Sequence, residues 1–408
     1  MNLVAVNIET IRIGSPLPFA LRSEDGTLLA NRGYIIGSRS ALDNIRGRGL
    51  EFYVDVAESE AHQRAFVGKL HELVRDERPL GKIADARINV SELHARSDTP
   101  SNSPDWLDYQ VQCNALLHDH HPARFRERLE RLQGHLDRQS RRNPDGALFA
   151  LMQLSATELR LYSATHAMLV SVMCGLAARE VLRWPAETQD LLCKAALTMN
   201  IGMTDLQDRL AQQPEMPTAA QQHQIDEHAA RSADMLELFG ISDATLLEAV
   251  RCHHTKTPGA LAARGQGQAM ARLIQRADMF AARLAPRAGR LPAPPAAAMQ
   301  ATYFDETRQI DEAGAALIKA VGVYQPGSYV RLINQETAVV VRRGANTTAP
   351  RVAVVINREG MPTGEHVIRD TSLRDYRIVA SVAHRDVRVK INLDRYLPLT
   401  AAPPSSRF

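Results

Sequence analysis

The feature that most constrains this chain is a succession of amphipathic helical patterns running from about Leu151 to Ala320, with His and Asp set into them at unusual places. His166 opens a stripe with Leu169, Val170, Met173, Ala177, Val181 and Trp184, spaced as one face of a helix. Pro185 suits the start of the next helix, which carries Leu191, Leu192, Ala195 and Ala196. His228 falls in a helix capped by Thr218 and ended by Gly240, and His253 and His254 end a helix that starts near Ser242. Asp278 lies between Ile274 and Ala281, so its carboxylate points to an apolar side and needs a partner or a metal. A lone buried His is ordinarily a satisfied structural group. Five such residues on four helices of one bundle point instead to convergence on a site.

Composition bounds what surrounds this block. The chain has 408 residues, 45% hydrophobic, enough for two or three domains and a substantial core. Its 49 basic and 46 acidic residues nearly cancel, to a net +3, so neither a nucleic-acid partner nor a membrane surface is expected. Cys113, Cys174, Cys193 and Cys252 stand outside CxxC spacing and read as reduced core thiols. The N-terminus lacks a basic segment followed by an apolar one, and no stretch approaches ~18 uninterrupted apolar residues. The expectation is a soluble, cytoplasmic protein.

Four regions follow. Residues 1–56 read as a β-rich module, with strands over 17–21, 27–30, 33–37 and 51–56 and a hairpin turn at Asp25-Gly26. Residues 57–149 read as a helical linker region, interrupted by the Pro/Ser-rich stretch 97–105 and closed by a helix whose seven Arg between Arg124 and Arg142 alternate with acids. Residues 150–322 form the helical domain. Residues 323–408 form a C-terminal antiparallel β unit and tail, with turns at Asn334-Gln335 and Gly344–Thr348. The fold class expected is therefore multidomain and mainly α, with a small β unit at each end. His118-Asp119-His120-His121 precedes Pro122 and reads as loop, not as a metal cluster.

In order and spacing, His166, ALTMNIGM (196–203), IDEH (225–228), VRCHH (250–254) and RADMFAA (276–282) resemble the HD-GYP branch of the HD superfamily, bacterial phosphodiesterases that hydrolyse cyclic di-GMP. The resemblance covers about Leu151 to Asn357, including the strand-rich start of the tail. It implies an HD-type bundle in which His166, His228, His253, His254 and Asp278 fall on metal-ligand positions and Arg287 on about that of a phosphate-contacting Arg. It also implies a departure. The family's His-Asp pair and following Lys fall on Met199, Asn200 and Met203, Thr255 replaces an acid, and residues 255–268 lack Gly-Tyr-Pro.

Those departures bear on mechanism. A neutral Asn cannot bridge two cations ~3.5–4 Å apart, and a thioether is a poor ligand for Fe, Mn or Mg. The leading expectation is a catalytically degenerate HD-GYP-like protein that binds cyclic di-GMP or a partner signalling protein without hydrolysis, with a homodimer allowed. No cofactor is expected beyond at most one divalent metal (Zn, Mn or Fe) on the surviving His residues. A residual metal-dependent phosphohydrolase is the alternative, and an HD-related output scaffold for protein contacts a second.

Overall fold

The computed structural model describes residues 3–6, 21–23, 28–30 and 52–55 with a few single positions among them, and then 106–118, 122–157, 161–289, 292–293 and 295–401. The chain divides into two compact units, Met1–Pro104 and Asp105–Phe408.

In the first unit β1 (Leu3–Ala5), β2 (Leu21–Arg22), β3 (Leu28–Ala30) and β4 (Tyr53–Asp55) form an antiparallel sheet in the order β1-β4-β2-β3. Leu21, Ile36 and Phe52 are fully buried in it. Strands were expected at β2, β3 and β4; β1 was not, because three apolar residues ahead of a polar run give too short a pattern. The expected Asp25-Gly26 turn and nearly all of the strand over 33–37 lie outside the described residues.

The second unit opens with α1 (Trp106–His118), α2 (Pro122–Arg142) and α3 (Pro144–Thr157). The alternating charges of α2 form a solvated face, with Arg126–Glu130, Arg131–Glu127 and Arg141–Asp137 paired one turn apart. Its other face repeats Phe125, Leu129, Leu132 and Leu136, all buried in the bundle core. The helices over 106–149 thus belong to the unit that contains the bundle. The composition boundaries at 149/150 and 322/323 both lie inside it.

At the centre stands α4 (Tyr162–Leu176), every residue of which is buried, continued by a π-helical turn over Ala177–Leu182. Arg183 ends it in the left-handed conformation at φ 56°. The stretch Tyr162–Leu182, interrupted by Ser, Thr, His, Arg and Glu, is long and apolar enough to cross a membrane by length and composition, and 78% of its most apolar window is buried inside the unit. Against α4 pack α5 (Ala186–Thr198) and α6 (Thr204–Gln212). Next, α7 (Ala219–Leu238) packs on α8 (Ala244–Cys252), which packs on α5 and on α9 (Gln266–Leu284), and α9 returns to α4. Then follow α10 (Pro295–Tyr303) and α11 (Glu312–Val321), the last also against α4. The caps are those the sequence specifies. Thr218 and Gln221 form a reciprocal capping box on α7, Gly240 ends it at φ 81°, and Asp243 accepts from Leu246 N–H to start α8.

The C-terminal sheet is antiparallel, in the order β8 (Ile368–Asp370), β7 (Arg351–Ile356), β6 (Thr337–Arg342), β5 (Tyr329–Leu332), β9 (Ile378–Val382). Register pairs Val330 with Ala338, and Val339 with Ala353. Central β6 is buried on both faces. Val339 and Val341 pack with Phe149 and Tyr396, while Val340 packs with Val330 and Leu332. Arg343, at the end of β6, donates to Asp145 on α3 (2.6 Å), to Glu180 on the π-turn (2.9 Å) and to the Ala320 carbonyl of α11. One half-buried guanidinium thus ties sheet and bundle together. A last helix, α12 (Leu393–Thr400), lies in the tail beyond the expected strands, where no element was expected; Asn392 caps it.

Candidate functional site

The loop between α5 and α6 is pressed onto α7. Gly202 N–H donates to Ser232 Oγ at 2.9 Å, and a Cβ at Gly202 would lie 2.9 Å from the Ser232 backbone nitrogen, so only glycine fits this approach. One turn earlier on α7, His228 is buried, and α8 delivers His253 at its C-cap with His254 next in sequence. The three imidazoles meet there. His228 Nε2 lies 3.2 Å from His253 Nε2 and 3.2 Å from His254 Nε2, and one ring nitrogen from each lies within 4.8 Å of the others. His228 and His253 are buried and His254 is exposed, so the cluster opens on one side.

Hydrogen bonds fix two of the rings. His228 Nδ1 donates to the Ile225 carbonyl at 2.5 Å and His253 Nδ1 to the Val250 carbonyl at 2.6 Å. A carbonyl only accepts, so both Nδ1 atoms carry the proton. Burial pushes the His253 imidazole down to about 3, helped by its two imidazole neighbours, and burial also lowers His228. Both rings are therefore neutral near pH 7 and present Nε2 lone pairs to each other across 3.2 Å. His254 Nε2, 3.2 Å from His228 Nε2, can donate to that ring, but among the described residues no donor stands between His228 and His253.

That donor set fits a metal. Imidazoles that ligate a cation through Nε2 commonly donate Nδ1–H to a backbone carbonyl, as these do. With bonds of about 2.0–2.1 Å, two nitrogens on one cation are about 3.0–3.4 Å apart, which spans the observed 3.2 Å. In the loop between α5 and α6, Asn200 Oδ1 is buried with no hydrogen-bond partner among the described residues. Met199 is fully buried in the apolar core, and Met203 is partly buried in the turn that follows.

His166 and Asp278 are brought together separately from this cluster. His166 Nε2–H on α4 donates to Asp278 Oδ1 on α9 at 2.7 Å. Burial works to raise the Asp278 carboxyl, but the His166 hydrogen bond and nearby imidazoles outweigh it and hold the group well below the usual carboxylate range. His166 and His254 are the two imidazoles expected to satisfy a carboxylate on the apolar face of α9, and His166 is the one that does so. Asp278 and His254 both line a cavity of about 320 Å³, so pair and cluster share one opening. Arg287 is directed elsewhere. Its guanidinium donates to Tyr162 Oη at 2.8 and 3.2 Å and lies 5.1 Å from that ring's centre, while the ring stacks on His166.

Sequence reasoning missed the ion-pair network beside this opening, of which Arg276 and Glu306 line it. Arg272 and Arg276 on α9 are buried, and both reach Glu306 and Asp311. Their spacing of four on the helix that bears Asp278 was the available signal; their acids, on the far side of α10, were not predictable from it. Of the polar run after α1, His118 ends the helix instead of standing in a loop. It lies 3.3 Å from both Asp205 and Asp208, and residues 119–121 are outside the described residues.

No family model matches the chain, and no curated protein matches it in sequence. Among solved structures it is similar to Bd1817, a HDG"Y"P protein from Bdellovibrio bacteriovorus, at 16% identity and a TM-score of 0.43. The alignment covers 78% of this chain and 99% of that one.

Proposed function

We propose that this chain is an HD-type signalling protein that binds its ligand, cyclic di-GMP or a partner signalling protein, without hydrolysing it. In this reading its bundle holds at most one divalent cation, on His228, His253 and His254. The observation that carries the reading is the separation of bases from acid: three imidazoles face one another with no carboxylate among them, while Asp278 is engaged by His166. In-line attack by a two-metal centre needs an anionic bridge between cations, and the position that would supply it holds neutral Asn200. A single cation on three imidazoles would keep an open position and could polarise a phosphoryl oxygen. The chain's own residues orient the rings through the Ile225 and Val250 carbonyls and leave the exposed His254 side for an incoming ligand.

The test combines elemental analysis of the purified chain with incubation with cyclic di-GMP under anaerobic Mn or Fe. The expected result is no more than one metal per chain and no linear dinucleotide above buffer. Two metals per chain, with turnover that vanishes in His253→Ala, would overturn the reading in favour of a residual phosphohydrolase.

A further inference from the structure

After β9 the chain runs through a short turn and crosses back over α3 and the end of α9 before α12 begins. This crossing alternates, with Val387, Val389 and Ile391 packed into the sheet-side core while Arg388 and Lys390 stand exposed between them. Between the crossing and the bundle lies a cavity of about 830 Å³, lined by Arg287, Arg385, Arg388 and Lys390 and by no Asp or Glu. Arg385 Nε has a partner, Asp386 Oδ1, at 3.4 Å. Arg388 and Lys390 form no ion pair or hydrogen bond among the described residues. Arg287 is held on Tyr162 and brings its fixed donors to the rim.

The rest of the wall is apolar and firmly set. Leu154, Leu284, Pro286 and Ile391 contribute to it. Beside them, Tyr329 meets the His384 ring edge-on at 4.8 Å. The Gly327 carbonyl accepts from His384 Nε2–H at 3.0 Å and from Gln153 Nε2 at 2.6 Å. Gly327 has φ 91°, and a Cβ there would lie 2.8 Å from Met152 Cβ and 2.9 Å from the Phe149 carbonyl oxygen, so the turn is fixed against α3. Arg388 and Lys390, with no paired carboxylate, stand beside Arg287 and the Arg385–Asp386 pair and leave the rim with a net positive charge that an anion offsets. A volume within the ~300–1,000 Å³ of small-molecule sites, with so much apolar wall, asks that the anion carry an organic body.

We infer that this cavity, separate from the imidazole cluster, is a binding site for a small organic phosphate whose charged end meets Arg287, Arg388 and Lys390 and whose body lies on the Leu154–Leu284 wall. The test is calorimetric titration of the full chain with three probes: inorganic pyrophosphate, adenosine diphosphate and decyl phosphate. At least one organic probe is expected to bind ten-fold or more tightly than pyrophosphate, and the preferred probe tells an aromatic from an alkyl body. Arg388→Ser/Lys390→Ser, which changes two exposed side chains, should weaken that binding at least ten-fold with an unchanged melting temperature. His253→Ala should leave it unchanged. Absence of binding by every probe at millimolar concentration, equal binding of pyrophosphate and both organic probes, or wild-type affinity in the double variant would overturn the assignment.

Discussion

The bundle contains two groups of imidazole, each with a buried ring, that differ in what those rings face. His166 faces an acid, Asp278, at 2.7 Å, and the pair satisfies itself. His228, His253 and His254 face only one another, at 3.2 Å between Nε2 atoms, with two of the three Nδ1 protons already committed to carbonyls. The first arrangement is complete as protein. The second is complete only when something positive or proton-donating joins the rings. They lie on different helices, α4 and α9 for the pair and α7 and α8 for the cluster, but near the same opening, so position in the bundle does not distinguish them. The count of donors and acceptors around each ring does.

The sharpest way to break this contrast is to remove the cation that the cluster is expected to hold. A ligand bound only by the folded state stabilises it by about 4 kcal/mol when free metal is 1,000 times its Kd. A strong chelator should therefore lower the melting temperature of the metal-loaded wild type and leave His253→Ala where it was. Scanning calorimetry with and without chelator reads both. Equal response of the two proteins would mean that the three rings hold no metal.

Next in size is the His166–Asp278 pair. Asp278→Leu replaces the carboxylate with an apolar group and leaves a buried imidazole without its acceptor, and removing one partner of a buried pair costs about 3 kcal/mol or more. Asp278→Asn retains an acceptor oxygen and should remain within about 1 kcal/mol of wild type. Urea unfolding of the two variants separates them. If Asp278→Asn is as damaging as Asp278→Leu, the carboxylate charge itself is needed, and the pair is not the self-sufficient unit described here.

Much of this was legible in the sequence because it is local. The capping box at Thr218, the stop at Gly240 and the Asp243 cap are each written within four residues, and they set the phase that turns His228 and His253 inward. The hairpin at Asn334-Gln335 is equally local, with Gln335 at φ 72°. What stayed hidden depends on partners distant in sequence. Nothing near Arg343 announces that it will bind Asp145 and Glu180, and nothing near Arg287 announces that Tyr162 will hold it. The choice of His166 over His254 as the partner of Asp278 likewise follows from how α4 and α9 cross. Membership of α2 in the core was obscured by its seven arginines, which outweigh Phe125, Leu129, Leu132 and Leu136 in any composition average.

A half-buried imidazole outside both groups sharpens the comparison by supplying the intermediate case. His384 has neither an acid nor other imidazoles to face; its Nε2–H donates to one carbonyl, that of Gly327. Burial pushes it down to about 4, only partly opposed by that hydrogen bond. Because the folded value is below the ordinary 6.5, the unfolded chain takes up the proton first as pH falls. The contribution of His384 is thus intact above pH 6.5 and is lost progressively on the way down to about 4. At pH 4.5 the loss from this one group amounts to about 2 kcal/mol. In His384→Gln the amide can still donate to Gly327 and does not titrate, so that share of the acid sensitivity should disappear. Urea unfolding of both proteins at pH 7 and pH 4.5 measures it, the variant being expected to lose about 2 kcal/mol less than wild type over that interval. Identical losses would show that His384 opens to water before it protonates, and that a single carbonyl does not keep an imidazole neutral in this fold.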